Sequence, residues 1–320
     1  CSFCHSVTDL SNTVHTNDQV AANAEYNLNP GENVYYGSIE NPRKNSSHNS
    51  EFNPIFKTSE MCLPCHNLTV RDIEAEITFS EWDRIPGTAM GLFPCQECHM
   101  PLTTRPAATN GPIREVHRHT FVGVDLDLSQ SAENSLQFDD VTNLLKSAVT
   151  LEFDTLIDSI NIGDVLTIPV VVTSKTGHSL PSGTSFAREA WLELLVTVDN
   201  SILYKSGVLS SNVTPIDTTD NNVLLFTSYL IDDTGEITSS VSQTHGIIDY
   251  SLKASEKKLH IYEFQVSPEN LPENSNELIA IKLRMLFRPF KPHLLQRHPL
   301  QLENLPIFEM ASLLDTVYIK

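Results

Sequence analysis

At 320 residues the chain is long enough for two domains, and it is acidic, with 40 Asp and Glu against 21 Lys and Arg and a formal net charge of −19. That balance speaks against nucleic acid and anionic membrane surfaces as partners, because both demand basic patches. The longest apolar runs, such as Leu194 to Val198, fall well short of the roughly 18 to 20 apolar residues of a membrane span, so no span is expected.

The chain opens on Cys1-Ser-Phe-Cys4-His5, and the same C-x-x-C-H pattern returns at Cys62, Cys65 and His66 and at Cys95, Cys98 and His99. These three strings use all six cysteines. On one helical turn the positions i, i+3 and i+4 share a face. Two thiols so placed reach the two vinyl groups of one porphyrin, and the histidine that follows points at the iron as an axial ligand. A C-x-x-C pair is also half of a zinc site, and two of these pairs make a Cys4 set, but neither zinc nor a disulfide framework explains a histidine after every second cysteine. The expectation is three covalently attached c-type haems, with His5, His66 and His99 as proximal ligands. Covalent attachment follows export of the reduced polypeptide in the usual pathways, so a removed leader and an extracellular, periplasmic or cell-surface location are expected.

Between the first two motifs the chain is rich in turn formers, as in "NLNPGENVYYG" and "NPRKNSSHNS", and reads as loop. Residues 72–85 read as a short helix. A proline-punctuated stretch, Met100 to Phe121, follows the third motif. Near Phe138 to Ala148, Val141, Leu144, Leu145 and Ala148 recur at helical spacing behind Asp139 and Asp140. The period then changes to two, in Leu166/Ile168/Val170/Val172, in Leu192/Leu194/Val196/Val198, in Tyr262/Phe264/Val266 and in Ile279/Ile281/Leu283/Met285/Phe287. Such runs between Asn, Asp, Gly and Ser clusters read as antiparallel strands of a sandwich, with Pro169 at an edge or bulge. The expected architecture is an irregular, mostly α haem domain over 1–145 and an all-β, Ig-like sandwich over 146–320.

Nine histidines remain for the distal faces of the irons: His15, His48, His117, His119, His178, His245, His260, His293 and His298. An iron held by two imidazoles transfers electrons, whereas an iron with an open face does chemistry. His260 sits in a strand pattern, and His245, His293 and His298 in turn or proline-flanked sequence, so these read as surface or strand residues. His15 follows the first motif closely, and His48 lies in a polar loop before the second. His117 and His119 alternate in "HRHTF", so only one faces iron. His178 lies in "KTGHSLPSG", a loop between two strand patterns.

The stretches "GSIENPRKNSSHNSEFNPIFKTSEMCLPCHN", "TFSEWDRIPGTAMGLFPCQECHMP", "HTFVG" and "TGHSLPSGTSFAREAWLELLV" together resemble the multihaem cytochromes related to the cytochrome c-554 family. The chain is similar to the branch that joins a haem domain to an Ig-like C-terminal domain. The resemblance implies distal ligation by His48, His119 and His178.

The function expected is electron transfer between closely spaced bis-histidine haems, with other redox proteins or extracellular acceptors as partners. A first haem with little chain before it suggests an uncovered apolar face. It also suggests head-to-tail homo-oligomers, or a conductive extracellular filament, in which a histidine such as His178 or His15 of one subunit reaches a neighbour's haem. The competing readings are a multihaem oxidoreductase with one open iron acting on a small nitrogen or sulfur compound, and an adhesive surface protein stapled by haem. No catalytic residue is assigned.

Overall fold

The computed structural model describes residues 1–10, 25–43, 46–70, 73–85, 93–272 and 278–320. The chain divides into two compact units, Cys1–Gly123 and Val124–Lys320. The boundary falls before the 145/146 division expected from the sequence, because helix Phe138–Ser147 belongs with the later strands. Its Phe138 ring packs 5.6 Å from that of Phe308, and its Val141 and Leu145 are buried.

The first unit is not the irregular, mostly α domain that was expected. Among its described residues eight short strands stand against two short α-helices, Thr78–Asp83 and Cys95–His99. The physical reason is local. A C-x-x-C-H string requires only one turn of helix, and the turn-rich segments between motifs resolve into two-stranded pairs. Val7–Leu10 pairs with Tyr26–Leu28, Leu68–Val70 with Ile73–Glu76, and Leu102–Pro106 with Ile113–His117, all antiparallel. Val34–Gly37 pairs in parallel with Asn49–Phe52. The helix expected over 72–85 is half strand, since "IEAE" alternates and only Thr78–Asp83 coils.

This unit has almost no apolar core of its own. Among its described residues only Val7, Leu63, Phe79 and Val122 are buried hydrophobics, while Phe3, Phe93, Ile113 and Phe121 are each at least half exposed. A unit of that size ordinarily buries far more apolar surface to offset its chain entropy.

The second unit has a full core. A six-stranded sheet is built on Glu189–Val198, Leu278–Arg288 and Phe308–Ile319, extended by Ser201–Ser206, Leu225–Phe226 and the parallel Ser159–Ile160. A three-stranded sheet places Val165–Ser174 between Lys257–Gln265 and Val149–Phe153. The alternating positions are inward: Leu166, Ile168, Val170, Val172, Leu192, Leu194, Val196 and Val198 are all 0% exposed. Each such side chain contributes about 1.5–3 kcal/mol on burial. Pro169 fits inside a strand because Val149–Phe153 stops at Phe153, opposite Val170, so its missing N–H faces the end of that partner. Asp199 and Asn200 both take positive φ, 46° and 69°, and close the hairpin Glu189–Val198 to Ser201–Ser206. The expectation of an all-β, Ig-like sandwich is also corrected. This unit carries the helices Phe138–Ser147 and Pro299–Glu303 and a third, three-stranded sheet around Ser228–Ile231. Among the described residues no helix is long and apolar enough to cross a membrane.

Candidate haem-attachment site

Each C-x-x-C-H string forms one helical turn. In the first, the His5 N–H donates to the Cys1 carbonyl at 3.0 Å; in the second, the His66 N–H donates to the Cys62 carbonyl at 3.0 Å. The third is the helix Cys95–His99, entered through Pro94. Cys1, Cys4, Cys65 and Cys98 are exposed, Cys62 and Cys95 half-buried, and all six are free thiols.

Of the three imidazoles expected as proximal ligands, two are oriented by hydrogen bonds through Nδ1. His5 donates to the Tyr36 carbonyl at 2.5 Å, and its ring stacks on Phe56 with centroids 5.5 Å apart and planes 9° apart. His99 donates to the Val122 carbonyl at 2.5 Å. His66 Nδ1 lies 3.5 Å from a carboxylate oxygen of Glu76. Burial pushes the Glu76 carboxyl up, but the neighbouring His66 and the hydrogen bond from the Thr78 N–H at 2.8 Å outweigh it and hold it below the usual carboxylate range. A nitrogen that donates to a carbonyl carries the proton, so the lone pair resides on Nε2, the tautomer an iron ligand requires.

The motifs converge. Ser59 is buried; its carbonyl accepts from the Cys62 N–H at 2.8 Å and its hydroxyl accepts from the Cys95 N–H at 3.1 Å. One residue therefore starts both the second and the third motif. The neighbouring Cys62 thiol, with help from Ser59, lowers Cys95 to about 6, while Cys95 and burial push Cys62 up. Gln96, buried inside the third motif, donates to the Thr58 carbonyl at 2.8 Å. Between the first and second motifs stands Tyr26. Its ring meets Phe3 edge-on at 5.5 Å, and its hydroxyl donates to the Met61 carbonyl at 2.9 Å and lies 3.8 Å from Cys65 Sγ.

Of the expected distal ligands, His119 is brought to the first motif. Its ring centroid lies 6.1 Å from that of His5, with the planes tilted by 36°. Burial first, and then the neighbouring His5, keep the His119 pKa below the usual histidine value. His48 donates from Nδ1 to its neighbour's carbonyl, Asn49, at 2.9 Å, and meets the Tyr35 ring edge-on at 4.8 Å. Tyr35 directly precedes the residue whose carbonyl holds His5. His178 belongs to the second unit. Its loop is pinned by Thr176 donating to the His178 carbonyl at 2.5 Å, by His178 Nδ1 donating to the Ser179 carbonyl at 2.8 Å, and by a backbone bridge from Leu180 to Leu252. His15 lies outside the described residues. His260, read as a strand residue, engages the Asn222 carbonyl through Nε2 at 2.8 Å.

His117 has a role the alternating pattern did not reveal. Its Nδ1 donates to the Met100 carbonyl at 2.6 Å, beside the third motif. Ser59, Tyr36 and Val122 were also illegible, because each acts through a backbone carbonyl, alone or with a hydroxyl, and backbone groups leave no composition signal.

The donor set fits haem in three respects. Each motif offers two thiols and an imidazole on one turn, two of the three imidazoles are oriented by Nδ1 hydrogen bonds to backbone carbonyls, and the surrounding unit lacks the apolar core that macrocycles would supply. Among the described residues no group of three or more His, Cys, Asp or Glu side chains is placed to hold a bare metal ion.

No protein-family model matches the chain, and no curated protein matches it. Among solved structures it is similar to a penta-haem cytochrome c552 from Thermochromatium tepidum, at 18% identity and a TM-score of 0.66, over 99% of this chain and 76% of that one. It also matches Spo0M, a sporulation control protein from Bacillus subtilis, at 11% identity and a TM-score of 0.23, over 54% of this chain and 49% of that one. A further match is the CARDB domain of PF1109 from Pyrococcus furiosus, at 9% identity and a TM-score of 0.24, over 54% and 94%. Likeness as weak as the last two carries no argument. The first shows the fold: this chain has a multihaem-cytochrome-like fold.

Proposed function

We propose that the chain is an exported c-type cytochrome carrying three haems, bound at Cys1/Cys4, Cys62/Cys65 and Cys95/Cys98, and that it transfers electrons to or from other redox proteins or extracellular acceptors. The observation that carries this reading is the His5–His119 pair. A metal held between two imidazole nitrogens by bonds of about 2 Å places the ring centroids about 6 Å apart. The 6.1 Å observed matches that spacing.

Haem iron, when bound, supplies reversible one-electron chemistry. The chain's residues hold and orient it. The six thiols would form the thioether links, and His5, His66, His99 and His119 would hold the irons, His5 and His119 sharing one. His48 and His178 are the further distal ligands in this reading. Two imidazoles on an iron leave no face for a substrate, which favours electron transfer over turnover of a small nitrogen or sulfur compound. With His119 opposite His5, the first iron is completed within one chain. A head-to-tail polymer would instead be joined at an iron that His178 ligates.

Intact-mass measurement of the exported protein tests the reading. The expected result is the polypeptide plus three haem masses, with a low-spin absorption spectrum. A haem-free chain carrying zinc would overturn it.

A further inference from the structure

The turn His119–Val122 touches two motifs at once. At its start, His119 faces His5 of the first motif. At its end, the Val122 carbonyl accepts from His99 Nδ1 at 2.5 Å, and the Val122 N–H donates back to the His99 carbonyl at 3.0 Å. Thr120 adds a longer bond to the same carbonyl, at 3.4 Å. Val122 is only 3% exposed. Between the two ends Phe121 takes a φ of 46°, in the left-handed region that a bulky residue adopts only when its surroundings hold it there. Its ring sits edge-on to His119, with centroids 5.9 Å apart. The segment is a short strut with a left-handed residue inside it, bonded to His99 at its Val122 end and placing His119 beside His5 at the other.

We propose that this strut couples the first and third haem sites: by presenting His119 to the iron of His5 and fixing the length of the bond from His99 to Val122, it makes the reduction potential at His99 depend on ligation at His119. The proposal rests on the three-haem reading above. Its physical basis is the effect of a second-shell acceptor. A carbonyl that accepts from Nδ1–H makes the imidazole a stronger donor and favours the oxidised iron. When His119 is tied to an iron, the strut cannot relax and the Val122 carbonyl stays on His99. When His119 is released, Phe121 can leave its left-handed conformation and that bond lengthens. The third haem then becomes easier to reduce, although no ligand of its own has changed. Val122, which acts through His99, and Phe121, which holds the turn, are positioning residues. No electron-transfer step is added.

The test uses the haem-loaded protein and resolves each haem by its electron paramagnetic resonance signal during a potentiometric titration. In His119→Gly, one haem is expected to become high-spin while a second stays low-spin and shifts to higher potential; the third is unmoved. Added imidazole should restore the low-spin signal of the first haem without returning the second to its original potential, because free imidazole does not tension the strut. In Phe121→Gly, which relieves the left-handed φ, all three haems should stay low-spin and one should shift. A His119→Gly variant in which only the high-spin haem changes potential, or in which imidazole restores both, overturns the coupling. Absence of haem from the wild-type mass would instead overturn the three-haem reading, so the two failures are distinct.

Discussion

His5 and His119, at opposite ends of the first unit's sequence, face each other with ring centroids 6.1 Å apart and planes tilted by 36°. His5 is held by the Tyr36 carbonyl, and the His119 ring is flanked edge-on by Phe121 with centroids 5.9 Å apart. Replacing His119 by Ala should leave all three haem masses in place while one haem becomes high-spin. The reduced variant should then bind carbon monoxide at one haem in three, against little binding by the wild type. A difference spectrum and an intact mass check this together.

The shortage of apolar core in the first unit predicts that its folding depends on haem. Substituting both Cys62 and Cys65 by Ala would remove one of the three proposed attachments. Limited proteolysis should then cut the first unit readily and spare a fragment beginning near Val124, because the second unit buries its own strands. Fragment masses report the outcome; equal resistance of both units would contradict it.

Within the second unit, Arg288 is 0% exposed. It donates from Nε to Glu189 at 2.6 Å and from a terminal nitrogen to the carbonyls of Asn212 and Thr214 at 2.7 and 2.8 Å, and it lies over the Trp191 ring. Arg288→Ala strands a buried carboxylate and two carbonyls, and should cost about 3–5 kcal/mol. The double replacement Arg288→Met with Glu189→Met should recover the part of that loss owed to the stranded carboxylate, but not the part owed to the two carbonyls. Urea titration followed by tryptophan fluorescence measures both.

Lys291 supplies a pH signature. It donates to the Ser228 carbonyl at 2.8 Å and sits 4.3 Å above the Tyr229 ring, and burial, partly offset by Glu189, lowers its pKa from 10.5 to about 8. The folded-state value lies below the unfolded one, so between these two values the unfolded chain binds more protons and stability rises with pH. Lys291→Met should flatten that rise. Melting temperatures of the two proteins at pH 7 and pH 10 give the comparison: the difference between them should move in favour of the wild type as pH increases.

Much of this was legible in the sequence where local chemistry decides the outcome. The helix Phe138–Ser147 follows from its i, i+3, i+4 spacing, and the long strands Val165–Ser174, Glu189–Val198 and Leu278–Arg288 follow from period-two runs. The expectation of a mostly α first unit failed because it extrapolated from single-turn motifs to the chain between them. Segments such as Val34–Gly37 and Asn49–Phe52 are too short to show a period, and their parallel pairing joins residues whose sequence reads as loop.

The sequence by itself determined the three C-x-x-C-H turns, because two thiols and an imidazole on one turn depend only on spacing. It also determined that the second unit would be strand-rich, because alternation of apolar residues is a local property. Only the tertiary structure decided that His119 meets His5, that Ser59 begins two motifs, and that one four-residue turn reaches both the first and the third. These are contacts through space, made largely by backbone groups that every residue carries alike, so no residue type announces them and only the folded chain selects the partners.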